Sequence, residues 1–262
     1  MTGAAPVILR DVVRVSGPDA SSFLQGQLSQ DVSALADGES AWSLVLQPQG
    51  KVDAFVRVTR EAPDVFVLDV DDGFGDAVVA RLDRFKLRVK ATIELAGPRP
   101  CRVDADADPA TPLAAIGPVR DGPGDAPAIA PADWDALRVR LGIPAMGREL
   151  TADTIPEEAG VVDVSVSFTK GCYTGQELVA RIDSRGRNVP RRLRRVTADA
   201  GSDDLRAGAA LTLPDGKVVG AVTTAAGDQA LAYVSRTVDD GAQVDVAGSP
   251  GMARIEALPP LR

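Results

Sequence analysis

From Val7 to Val15 the chain is rich in β-branched residues, the composition of a strand. Gly17-Pro18-Asp19 ends it and opens a helix, with Asp19 as the expected N-cap and Phe23, Leu24 and Leu28 on one face. Residues 41–46 and 51–59 alternate or run apolar on either side of Pro48-Gln49-Gly50, which predicts a β-hairpin. Val65 to Val70 predicts another strand. Residues 74–86 place Val78, Val79, Leu82 and Phe85 at helical spacing, and Leu87 to Leu95 returns to strand. This alternation predicts an α+β unit on an antiparallel sheet.

Between Gly97 and Pro131 the periodicity lapses. Eight prolines fall in 35 residues, the pattern of a surface loop or a stretch of shortened strands. A helix over 133–141 follows, carrying Trp134, Leu137 and Leu141, then a strand over 161–168 and a helix over 174–184. After Pro190 only short β-like runs remain, at 192–197, 209–213, 217–224, 229–235, 243–247 and 252–257, separated by Gly and Asp. They predict a small β-barrel or sandwich. The expected organisation is one α+β region over residues 1–190 and a β domain over 191–262.

With 262 residues, 45% apolar and 25% charged, the chain has the composition of a globular protein. Aromatics are only 4%, so the core must be aliphatic. Histidine is absent, which excludes a Ser-His-Asp triad, a Cys-His pair and imidazole metal ligands. Cys101 and Cys172 lie too far apart for CxxC chemistry, and two cysteines fit a reducing compartment. No metal site is expected. No secretory signal or membrane-length apolar run is visible, so a cytoplasmic protein is expected. The net charge is −8, which disfavours general nucleic-acid binding, yet Lys170 to Arg195 holds eight basic residues against two acidic.

That reversal begins at the densest chemical signal, Lys170-Gly171-Cys172-Tyr173-Thr174-Gly175-Gln176-Glu177. Thr174 and Glu177 fit a capping box, so the helix is expected to start at Thr174. Gly171 and Gly175 permit backbone geometry or ligand approach closed to other residues. Cys172 would lie before a helix N-terminus and beside Lys170, a setting that favours thiolate. The same residues also fit a plain capped helix with Cys172 as a small buried hydrophobe.

The run from Lys170 to Glu177, continued by Ala180-Arg181 and Arg185-Gly186, resembles the signature of the YgfZ family, folate-binding proteins related to the glycine cleavage T-protein (aminomethyltransferase). Asp19 to Gly38, Leu44 to Asp53, Arg138 to Gly147 and Thr154 to Glu157 are similar to further segments of that family, so the resemblance covers most of the chain. It implies an α+β, T-protein-like fold of two interleaved units around a central pocket, with a C-terminal small β-barrel. It also implies a tetrahydrofolate-binding accessory protein that supports assembly or maintenance of iron–sulfur enzymes.

By the same resemblance Lys170, Cys172, Tyr173, Gln176 and Glu177 would border the folate pocket. Tyr173 or Phe168 could stack on the pterin, and Arg181, Arg185 and the arginines from 187 to 195 could meet folate carboxylates. Where T-protein-like sequences carry an acidic pterin contact after Leu-Arg-hydrophobic, this chain has Arg140 following Leu137-Arg138-Val139. The resemblance implies an accessory protein more than a classical enzyme, and leaves enzymatic activity open. If catalysis occurs, the resemblance implies folate-dependent one-carbon transfer, with Cys172 and Asp76 as candidate catalytic residues. The alternatives are an aminomethyltransferase or demethylase proper, and a module on the same fold that binds another anion or a protein. No membrane partner is expected, and the basic strip has no interleaved aromatic platform for nucleic acid.

Overall fold

The computed structural model describes residues 5–121, 126–199, 205–249 and 251–261. Six strands form one antiparallel sheet: β1 (Val7–Ser16), β2 (Ser40–Leu46), β3 (Val52–Ala62), β4 (Val65–Asp71), β5 (Thr92–Val103) and β6 (Ile116–Val119), in the order β2-β3-β4-β1-β5-β6. Helices α1 (Ala20–Gln27) and α2 (Gly75–Asp83) cover one face. Phe23 and Leu24 of α1 and Val78 and Leu82 of α2 join Val13, Val15, Val58, Phe66 and Leu68 in the main core. The expected mixed α+β class with an aliphatic core is what the chain adopts.

The opposite face is charged. Arg10 of β1 and Arg57 of β3 both reach the carboxylate of Asp69 on β4, at 2.5 and 2.9 Å, and Asp69 is fully buried. Arg10 also meets Asp71 at 2.6 Å. Both guanidinium groups lie 5.5 Å from the ring of Trp42, which stacks on Phe55 at 4.8 Å. Asp71 in turn accepts the Met146 N–H at 2.9 Å, which ties the sheet to the loop after α3 (Pro131–Leu141).

The C-terminal runs close into a barrel of β7 (Arg191–Ala198), β8 (Ala210–Thr212), β9 (Val218–Ala226), β10 (Gln229–Ser235), β11 (Gln243–Val246) and β12 (Met252–Glu256), with neighbours β10-β7-β12-β11-β8-β9. It has its own aliphatic core. Glu149, fully buried, joins it to the rest: its side chain accepts from Thr224, Ala145 and Arg138, and its carbonyl accepts the Tyr233 hydroxyl at 2.8 Å.

Three local expectations change, and of the two alternatives for the proline-rich stretch the strands are adopted in part. Asp19 stands at the N-cap position of α1 but caps no helical N–H; its carboxylate accepts the Lys90 N–H at 2.7 Å instead. The strand expected over Leu87 to Leu95 starts only at Thr92, because residues before it turn with Arg88 at φ +60°. The proline-rich stretch is partly strand, since β5 runs to Val103 and β6 pairs with it. Pro98 and Pro100 lie where β6 does not pair, so their missing N–H breaks no ladder on that side. Finally, the strand expected at 161–168 is the single helical turn α4 (Val162–Ser165), in which Ser165 Oγ donates to the Val161 carbonyl. A short apolar run has no period that separates helix from strand, and burial of Val161, Val162 and Val166 decides here.

Asp69→Ala leaves two buried guanidinium groups without their shared acceptor, so it is expected to lower stability by about 3–5 kcal/mol. Urea denaturation of both proteins reads this, and a change below about 1 kcal/mol would show that the charged face does not need Asp69.

Candidate functional site

The Lys170–Glu177 segment is built against the chain that follows α1. Ser167 N–H donates to the Ser29 carbonyl at 3.0 Å, Ser29 Oγ donates to the Ser165 carbonyl at 2.6 Å, and Thr174 N–H donates to the Gly26 carbonyl at 3.0 Å. Between these points Lys170 Nζ donates to the carbonyls of Gln25, Leu28 and Gln30 at 2.7, 2.7 and 3.0 Å. All three ammonium protons are therefore engaged. A cation here also suits the C-terminal end of α1. Burial holds Lys170 down at about 8, against the opposing charge of Asp31. The Tyr173 ring lies 5.2 Å from Nζ, and burial pushes its hydroxyl up to about 12.

Gly175 has φ +84° and occupies the N-cap of α5 (Gln176–Ser184), so the helix starts two residues later than Thr174 would have it. No capping box forms. Thr174 Oγ1 lies 3.4 Å from Gln27 Oε1, and Gln176 Oε1 accepts the Tyr173 N–H at 3.2 Å. A Cβ on Gly175 would collide with the Gln47 carbonyl, and one on Gly50 would lie 2.5 Å from Leu178 Cβ. The glycine thus admits the turn of the β2–β3 hairpin.

What this leaves free is informative. Cys172 is exposed, not a buried hydrophobe, and its neighbours Thr169, Gly171 and Phe168 are exposed as well. Glu177 is exposed in the first turn of α5. Arg181 and Arg185 are exposed and form no salt bridge among the described residues. Of the arginines from 187 to 195, four are ion-paired: Arg187 with Asp163 and Asp183, Arg191 with Glu158, Arg192 with Glu157, and Arg194 with Asp240, while Arg195 donates to the Arg140 carbonyl at 3.1 Å. Arg140 donates to the Ala105 carbonyl at 2.7 Å. Asp76 is exposed in the first turn of α2. No cluster of three metal-ligating side chains occurs among the described residues.

Among the clefts of the described residues, two bear on a ligand site. One, of about 390 Å³, runs beside β1 between Ile8, Leu9, Ile129, Pro131 and Trp134, with Asp71, Asp72, Asp135 and Arg148 at its polar edge. The other, of about 450 Å³, lies between the barrel and the α4–α5 region and is lined by Glu157, Arg187, Arg192, Arg194 and Leu258. Neither is lined by residues 170–177. The cleft beside β1 escaped the reading of the sequence because its walls come from four distant segments that share no motif. No helix of the described residues is long and apolar enough to cross a membrane.

No family model matches the chain. It is 30% identical to the tRNA-modifying protein YgfZ of Edwardsiella ictaluri, an alignment that covers 67% of this chain and 65% of that protein. It is 28% identical to the mitochondrial iron-sulfur cluster assembly factor IBA57 homolog of Neurospora crassa, over 70% of this chain and 51% of that one. The chain thus spans about two thirds of the bacterial relative and half of the fungal one. In fold it is similar to the glycine cleavage system aminomethyltransferase T of Bartonella henselae, with a TM-score of 0.79 at 20% identity, covering 97% of this chain and 86% of the other.

The Lys170 ammonium yields a pH signature. With its folded value near 8 and its ordinary value at 10.5, the folded chain binds fewer protons than the unfolded chain between them. Stability from this group therefore rises with pH across that window and is lost as pH falls through about 8. Urea midpoints of wild type and Lys170→Met are expected to separate further from pH 8 to 10.5, whereas a constant difference would refute the buried ammonium.

Proposed function

We propose that this chain, a relative of the YgfZ and IBA57 proteins on the aminomethyltransferase T fold, is a tetrahydrofolate-binding accessory protein that serves iron–sulfur enzymes or their assembly machinery through Cys172. The observation that carries the reading is the setting of that thiol. The backbone is fixed on both sides of it, by Lys170 and by Thr174, and the side chain itself is exposed. Such a thiol is presented to a partner surface, where its thiolate would be the reactive form and a soft ligand. The name of the Neurospora crassa relative, iron-sulfur cluster assembly factor, supports a partner of the iron–sulfur class.

For the folate we propose the cleft beside β1. Its volume falls in the range of small-molecule sites, its walls are apolar, and Trp134 supplies a ring for a flat pterin. Asp72 is exposed there without a salt bridge among the described residues and can accept pterin N–H groups. Arg148, at the edge and paired with Asp135 at 2.6 Å through one nitrogen, keeps further donors for a glutamate carboxylate. Lys170 and Tyr173, held by internal contacts, would act on the thiol loop and not on the pterin. One-carbon transfer is the second reading, favoured by the fold alone and by Asp76, which follows the cleft residue Asp72 by four positions.

Calorimetric titration with tetrahydrofolate is expected to give saturable binding that weakens about tenfold or more in Trp134→Ala, the loss of one buried aromatic contact. No binding by folded wild type would remove folate from the proposal. In cells lacking the native gene, Cys172→Ser is expected to leave iron–sulfur enzymes inactive while binding folate as wild type does. Full activity of those enzymes with Cys172→Ser would eliminate the thiol role, and methylene transfer from a lipoyl carrier protein to tetrahydrofolate would install the second reading.

A further inference from the structure

Residues 81–90 hold five basic residues against Asp83, a net +4 within a chain of −8. Apolar side chains sit among these charges in the open. Leu87 is 84% exposed at the tip of a turn, and Phe85 is 36% exposed. The turn is held in place. Lys86 pairs with Asp83 at 2.9 Å, the Lys90 N–H is bound by Asp19, and Arg88 takes φ +60°, a conformation that side-chain-bearing residues adopt only when the surroundings impose it. Arg84, Arg88 and Lys90 are exposed and form no salt bridge among the described residues. A fixed, highly exposed leucine ringed by unpaired cations has no role in packing this fold.

Its position relates it to the thiol loop. The Arg81 guanidinium stacks on the Phe85 ring at 4.0 Å and donates to Gln27 Oε1 at 3.2 Å, and Gln27 Oε1 lies 3.4 Å from Thr174 Oγ1. Two side chains thus join Phe85 to the segment that carries Cys172. α1 separates the same two places, with Lys90 bonded at its start and Lys170 at its end, and eight residues of helix span about 12 Å. A protein surface that covers the turn can reach the thiol loop.

We infer that the turn at residues 84–90 is the docking point for an acidic protein that carries an apolar pocket for Leu87, and that it brings that partner onto Cys172; the inference rests on the role assigned to Cys172 above. Charge complementarity selects the occupant. The rest of the chain carries a net −12, so this basic turn, together with the exposed Arg181 and Arg185 after Cys172, attracts an acidic partner and orients it across the thiol loop. Nucleic acid would call for stacking faces, and the one aromatic ring here already holds Arg81. A lipid surface would call for an apolar stripe, whereas α2 buries Val78 and Leu82 and offers lipid only the end of the turn.

The test uses the full chain with Leu87→Asp, the double variant Arg84→Glu/Arg88→Glu, and Val218→Asp as a control at a 62% exposed position on the barrel. In cells lacking the native gene, both turn variants are expected to lower iron–sulfur enzyme activity about tenfold or more, as loss of a central contact does. Their melting temperature and tetrahydrofolate titration should match wild type, and Val218→Asp should be silent. A photo-crosslinking residue at position 87 should trap an acidic protein in those cells, and the double charge reversal should abolish that adduct. Wild-type activity of both turn variants overturns the inference. So does binding of wild type to total tRNA or to anionic phospholipid vesicles that the charge reversal removes. Inactive Cys172→Ser with active turn variants removes the docking point and leaves the thiol role standing, whereas inactive turn variants with active Cys172→Ser leave the docking point and remove the thiol role.

Discussion

One ammonium group, Lys170 Nζ, ties three carbonyls after and within α1 to a loop about 140 residues further along the chain. Its three donors point in fixed directions, so the loop cannot slide along α1 without breaking all three. Ser167 to Ser29 on one side and Thr174 to Gly26 on the other hold the register of the segment between. Cys172 takes part in none of these bonds. A group presented on an already ordered backbone loses little conformational freedom when a partner arrives, which favours association. The motif's lysine thus acts mechanically, and its half-buried charge is the cost of that stiffness.

A second constraint sets the sheet. Buried ion pairs add little net stability but resist rearrangement, because a displaced charge would lie unpaired in an apolar layer. Arg10, Arg57 and Asp69 come from β1, β3 and β4, and β4 lies between the other two. A one-residue slip of any of these strands would turn its charge toward Leu68 and Val58. The locked register places Asp71 opposite Arg10 and under Met146, and Glu149, three residues on, holds the barrel. The cleft beside β1 and the seating of the barrel therefore depend on the same buried charges.

Much of this was legible because strand and helix periods are local. β1, the β2–β3 hairpin, β4, α2 and the barrel runs all follow from apolar spacing, and the resemblance carried by residues 170–177 matched the relatives and the fold. The misreadings share a cause. Thr174 and Glu177 have capping-box spacing, yet Gly175 between them adopts the left-handed form so that Gly50 and the hairpin turn can approach. Asp19 has cap chemistry, but a main-chain N–H 71 residues away takes its carboxylate. By local pattern Lys170 is only a neighbour of the thiol, whereas in the fold its protons also hold three carbonyls from α1 and beyond. Local pattern states what a residue can do; distant partners choose among the options.

The separation between cleft and thiol has a structural consequence. Asp71 and Asp72 stand at the cleft, and α2 begins at Gly75, three residues after them. The helix ends beside Arg81, which binds the Leu46 carbonyl, Asp53 and Gln27, and Gln27 touches Thr174. Nine helical residues span about 13 Å, so one rigid element has the cleft at its start and the thiol loop at its end. A ligand that draws on Asp72 acts on the N-terminal loop of that rod, which the Asp11 carboxylate holds through the N–H groups of Gly73 and Gly75. A partner that presses on Phe85 acts on the other end, through Arg81. α2 thus joins the cleft to the thiol loop through one rigid element, and the carboxylate of Asp11 and the guanidinium of Arg81 are the two groups that hold it at its ends.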